Sequence, residues 1–141
     1  MGVMYEIIDH TADIGIKVKG SSLEELFVLA AEATFDLLIA SRRAFIPSIE
    51  VPIIIEAPAI DQLLVRWLQE LLFVFERRRL VLMKFWIDKV SETRLEGAAK
   101  GLPFDPTRHT QKLDIKAVTY HMIKVERGDG GLWHAQVIFD I

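Results

Sequence analysis

The spacing of apolar residues switches repeatedly between two periods along this 141-residue chain, and that switching restricts the folds open to it. Ile14, Ile16 and Val18 alternate with Lys17 and Lys19, the period of a half-buried strand. From Leu23 the spacing turns helical: Leu23, Leu26, Phe27, Ala30, Ala33 and Leu37 fall on one side of a helix. Ser22-Leu23-Glu24-Glu25 opens it as a capping box, in which a hydroxyl and a carboxylate satisfy free backbone donors. The helix is predicted to run to about Ala40, with Asp36 on its solvated face. Residues 49–56 form an isoleucine-rich strand, and Pro52 within it points to an edge position or a bulge. Pro58 and Asp61 open a second helix with a broad stripe of Leu64, Trp67, Leu68, Leu71, Leu72 and Phe75, widened by Leu63. Trp67 is read as core. Arg77, Arg78 and Arg79 close this helix, where cations suit the helix dipole.

The remainder is β-prone. Residues 80–88 and 93–99 are predicted strands, 101–111 a loop with two prolines, and 114–126 a long strand. Gly128-Asp129-Gly130-Gly131 is a turn that glycine makes easy, and residues 132–141 return as the last strand. No repeat or linker divides residues 1–141, so a single domain is expected. Helices among the early strands and strands gathered at the end predict an α+β fold. Its sheet is mostly antiparallel, with two amphipathic helices packed on one face.

Composition bounds the function. A chain that is 51% hydrophobic and of this length builds its own core and is not disordered. A net charge of −3 argues against strong direct nucleic-acid binding, which needs phosphate neutralisation. With no cysteine, disulfides and thiolate metal sites are excluded, and a reducing compartment suits the chain. No secretory signal and no run long enough to span a bilayer is visible. The expectation is a cytoplasmic protein away from membranes.

One stretch breaks the apolar pattern: Asp9-His10-Thr11-Ala12-Asp13-Ile14-Gly15. Polar groups set between two apolar strand halves are costly to bury unless something pairs with them. At the other end, Val137-Ile138-Phe139-Asp140-Ile141 runs into an acid and then the terminal carboxylate. If the two end strands are neighbours, Asp13, Asp140 and the carboxylate of Ile141 meet. Their mutual repulsion would be relieved by a hard divalent cation, with oxygen ligation suiting Mg²⁺, Ca²⁺ or Mn²⁺. The alternative is that each acid ends a strand at the surface. Other chemistry finds little support. The glycine turn lacks the lysine and helix of a phosphate loop. His10, His109, His121 and His134 have no zincin spacing. The serines sit at caps and turns, none in a nucleophile elbow.

His10-Thr11-Ala12-Asp13-Ile14-Gly15 resembles the N-terminal signature of the archease family. The likeness continues through Ser22-Leu23-Glu24-Glu25-Leu26-Phe27 and the leucine-tryptophan pattern of residues 64–72. It closes with Ile115-Lys116-Ala117-Val118-Thr119-Tyr120-His121 and Val137-Ile138-Phe139-Asp140-Ile141. The resemblance implies an accessory protein, not an enzyme. Archeases assist the RtcB-class RNA ligase that joins tRNA halves, promoting its guanylylation by GTP so that it turns over repeatedly. It implies a divalent-cation site whose ligands are Asp13, Asp140 and the terminal carboxylate of Ile141. His10 and Lys116 would support that site or touch the ligase; for Lys116, a strand lysine facing water is the alternative. The tRNA would be reached only indirectly. One position departs from the family: Leu102 stands after Gly101 where glutamate is usual, so that loop is assigned no role. Two other readings compete. One is a general chaperone or adaptor without metal dependence, which exposed apolar patches would favour. The other is a metal-dependent hydrolase with the same acids and His10 as base.

Overall fold

The computed structural model describes residues 4–9, 13–40 and 42–141. In chain order it contains β1 (Met4–Asp9), β2 (Asp13–Gly20), α1 (Leu23–Leu38), β3 (Ile39–Ala40), β4 (Ile49–Glu56), α2 (Ile60–Arg78), β5 (Leu80–Val90), β6 (Arg94–Pro103), β7 (Thr110–Gln111), β8 (Ala117–Val118), β9 (Lys124–Arg127) and β10 (Trp133–Asp140). Short 3-10 turns stand at Arg42–Ala44 and Asp129–Gly131. The fold is α+β, and every described ladder is antiparallel.

The strands divide into two main sheets. In the first, β2 lies between β1 and β10, and β8 and β9 both pair with the far side of β10. In the second, β6 lies between β4 and β5, and β3 and β7 form a short separate ladder. Pro52 therefore sits on an edge strand, where a missing N–H costs little.

Helix α1 joins the two sheets. Ser22 Oγ accepts from the Glu25 N–H at 3.1 Å. Glu25 Oε1 accepts from the Ser21 N–H at 2.7 Å, one residue earlier than a standard capping box. The helix packs on β2 on one side and β5 on the other. It therefore buries Ala31, Thr34 and Phe35 beside the predicted stripe. It ends at Leu38, two residues before Ala40, because Ile39 and Ala40 extend to pair with Gln111 and Thr110. Helix α2 packs on α1 and on strands of both sheets. Trp67 is fully buried, and its indole N–H donates to the Phe27 carbonyl at 2.9 Å, so its one polar atom is satisfied. The arginine-rich end does more than complement the dipole. Arg79 adopts a left-handed backbone (φ 52°), and its guanidinium stacks on Phe75 and Phe104. Among the described residues no helix is long and apolar enough to cross a membrane.

Three local expectations need correction. Asp36 is not on a merely solvated face. It faces Arg42, which is 1% exposed and ion-paired to both Glu32 and Asp36. Arg42 Nη1 also donates to the Met83 carbonyl at 2.9 Å, so this one cation ties α1 to β5. Residues 114–126 are not one strand. Ala117–Val118 pairs with Asp140 and Phe139, Lys124–Arg127 pairs with residues 133–136, and residues 119–123 bulge out between them. Met122 turns left-handed there (φ 53°), and its carbonyl accepts from Gln136 Nε2 at 3.0 Å. The predicted loop 101–111 is shorter, because Gly101 to Pro103 belong to β6 and Thr110–Gln111 is β7.

Candidate metal centre

The ladder between β2 and β10 places Asp13 directly opposite Asp140. Opposed residues of an antiparallel pair project from the same face, with Cβ atoms roughly 4.5–5.5 Å apart. The neighbouring pair, Ile14 and Phe139, is buried in the core. The two carboxylates therefore stand on the outer face, at the end of the first sheet. Asp13 is half-buried, and its Oδ1 is shut off from solvent without a hydrogen-bond partner. Asp140 is exposed.

The surrounding chain fixes this pair. The Lys116 N–H donates to the Asp140 carbonyl at 2.8 Å, and Ala117 lies opposite Asp140 on the side away from Asp13. Thr119 donates twice to the Ile138 carbonyl, from its N–H at 3.0 Å and from Oγ1 at 2.9 Å. Gly15, the next outward position on β2, lies opposite Ile138. A Cβ there would come within 2.7 Å of Ile138 Cδ1. The missing side chain lets Ile138 fold over the strand, where it is only 5% exposed although it lies outside the main core cluster. An apolar side chain thus occupies the next position to the two acids on this face.

These residues fit a hard divalent cation. Two carboxylates share one face, and a buried acid oxygen lacks a donor. Among the described residues no cluster of three or more His, Cys, Asp or Glu side chains is present. Two aspartates offer oxygen donors of the kind that suit Ca²⁺, Mg²⁺ or Mn²⁺ rather than a soft metal. Ile141, half-buried, follows Asp140 directly. Lys116 has an exposed side chain, and its contribution here is the main-chain bond to Asp140. His10 lies outside the described residues. The other histidines are dispersed. His109 is buried beside Phe45 and Phe104, His121 is exposed in the bulge, and His134 lies opposite Lys19. The sequence reading did not identify the supporting roles of Gly15 and Thr119. In the sequence Gly15 stands between Ile14 and Ile16, and Thr119 between Val118 and Tyr120.

Known proteins resemble this chain over nearly its whole length. Residues 5–141 match the model of the Archease protein family (MTH1598/TM1083). The protein archease of Pyrococcus furiosus is 39% identical over 97% of this chain and 98% of its own. That of Methanosarcina mazei is 36% identical over 99% and 97%. The solution structure of Methanobacterium thermoautotrophicum protein 1598 superposes with a TM-score of 0.78 at 33% identity, covering 97% of this chain and 98% of that one. The crystal structure of an archease, possible chaperone, from Thermotoga maritima shares the fold with a TM-score of 0.61 at 22% identity, over 98% of each chain. On a family-model match over residues 5–141 and relatives 36–39% identical over nearly the whole chain, the chain belongs to the archease family.

Proposed function

We propose that this chain is a cytoplasmic accessory protein of an RtcB-type RNA ligase in tRNA splicing. It promotes GTP-dependent guanylylation of the ligase and so sustains multiple turnover, without itself being the catalyst. Asp13, Asp140 and the terminal carboxylate of Ile141 hold a divalent cation. The observation that carries this reading is the pairing of Asp13 with Asp140 on one face, with Asp13 Oδ1 buried and unpartnered. A bound cation supplies the positive charge that phosphate handling requires. The chain does the rest. The β2–β10 ladder holds the two carboxylates in register, and the Lys116 N–H fixes the end of β10.

The test is multiple-turnover ligation with purified ligase, GTP and RNA, with and without this protein. Stimulation by wild type, and its loss in both Asp13→Ala and Asp140→Ala variants that still melt cooperatively, supports the reading. Full stimulation by both variants overturns the site assignment. Equal stimulation of unrelated enzymes in the presence of chelator would instead assign a general chaperone role, for which exposed Tyr120, Met122 and Leu132 offer apolar surface. Turnover of phosphoester substrates by the protein alone would point to a hydrolase.

A further inference from the structure

The outer face of the first sheet holds a second feature that the aspartate pair does not explain. Ladder register sets out two cross-strand rows on this face. One reads Glu6, Lys17, Gln136, Lys124, and the other Lys19, His134, Glu126. Between them lies a cleft of about 400 Å³. Val18 and Ala135 turn their side chains into the core, and so line its floor with main chain. We propose that this cleft is a binding site for nucleotide phosphate.

Charge is the first argument. The chain is net negative, yet three lysines and a histidine meet here against Glu6 and Glu126. Lys17 and Lys19 are exposed and make no ion pair among the described residues. Lys124 reaches Glu126 only at 4.0 Å, the outer limit of an ion pair and worth little in water. Successive outward residues of a strand lie roughly 6.8 Å apart, and strands two removed roughly 9.6 Å. Lys17, Lys19 and Lys124 thus ring one small area, from which long flexible side chains converge on a phosphate group or span two. Lysine binds phosphate as a compact point charge. Among the described residues, no arginine fork, the usual partner of a carboxylate, lines the cleft.

Preorganisation is the second argument. The half-buried His134 ring packs against the turn at Gly128, where a Cβ would stand 2.9 Å from Nε2. Gln136 is held by its bond to the Met122 carbonyl. The volume falls in the range of small-ligand sites, which suits one nucleotide. Asp13 and Lys17 lie four residues apart on β2, roughly 13 Å, so the face is negative at one end and positive in its middle.

The phosphate has two candidate sources: a free mononucleotide, or one unit of an RNA strand. The test uses the full chain in chelator, so that cations at the aspartates play no part. ATP, AMP and a short single-stranded oligoribonucleotide are titrated at low salt by calorimetry and fluorescence anisotropy. The comparison is wild type against Lys17→Gln/Lys19→Gln, against Lys124→Gln, and against Lys84→Gln on the second sheet as control. Saturable binding of at least one probe is expected, weakened about tenfold or more in the double variant and unchanged in the control. A mononucleotide-only result assigns the free nucleotide. Binding of the oligonucleotide alone assigns the strand, with a log–log salt slope near −2 for three neutralised phosphates. Absence of saturable binding of every probe, or equal binding by wild type and double variant, overturns the proposal. Ligase guanylylation measured without RNA tests the metal reading separately, so the two fail independently.

Discussion

Replacing Asp140 with asparagine gives a prediction whose sign depends on solution conditions. In the absence of cation, Asp13 and Asp140 are like charges directly opposed across β2 and β10. Such pairs destabilise a sheet by about 0.2–1 kcal/mol, and the exposure of Asp140 puts this one at the low end. Asp140→Asn removes the repulsion and keeps the shape, so in chelator the variant melts about 1–2 °C above wild type. With divalent cation at a hundred times its dissociation constant, binding to the folded state alone stabilises wild type by about 2.7 kcal/mol. For a domain of this size that is an upward shift of about 8–10 °C. The variant has lost a charged ligand and gains only a fraction of this, so the order of melting temperatures reverses. The assay is differential scanning calorimetry of both proteins in EDTA and in a Ca²⁺ or Mg²⁺ series. A variant less stable than wild type in both conditions would show that Asp140 serves the fold rather than an ion. A wild-type melting temperature indifferent to the cation would remove the site altogether.

Three further outcomes follow from the packing. Arg42→Met withdraws the buried cation that faces Glu32 and Asp36; it should cost about 2–4 kcal/mol in urea unfolding, and a loss below 1 kcal/mol would show that the carboxylates find water instead. Gly15→Ala sets a Cβ against Ile138 Cδ1 and within 3.0 Å of the Val137 carbonyl; a destabilisation of about 1–3 kcal/mol and a reduced cation-induced melting shift are expected, and an unchanged shift would separate Gly15 from the aspartate pair. The Thr107 N–H, then its hydroxyl, holds the Asp105 carboxyl below the usual range. The stability it lends is present above the unfolded value and is lost as pH falls through the lower folded value. Thr107→Val keeps the backbone donor, so the Asp105 titration followed by NMR should move upward without reaching the ordinary value; no movement would rule out the hydroxyl.

Both helices and most strands were legible because their apolar residues repeat with the right period. That signal says which residues turn inward and nothing about which strand lies beside which. The meeting of Asp13 and Asp140 rests, in the sequence, on supposing that the two ends are neighbours and on the family resemblance. Lys17 and Lys19 read as the wet half of an alternating strand, and their partners Lys124 and His134 come from the final hairpin. No local pattern announces that cluster. The break in residues 114–126 was hidden because apolar residues persist through Tyr120, Met122 and Ile123, while the turn depends on a left-handed methionine and a side-chain bond from Gln136. Asp36 was misjudged for the same reason: Arg42 lies beyond the helix and returns to it only through the fold.

The two sheets differ in how far the chain must travel to build them. The second sheet and α2 come from one continuous stretch, residues 49–103, and assemble from nearby segments. The first sheet has β10 at its centre, beside a strand from the opposite end of the sequence. Closing it spans almost the whole polypeptide, which makes it the slower half to form. An ion clasped between Asp13 and Asp140 would latch that seam, so its loss would loosen the outer face while residues 49–103 stayed intact.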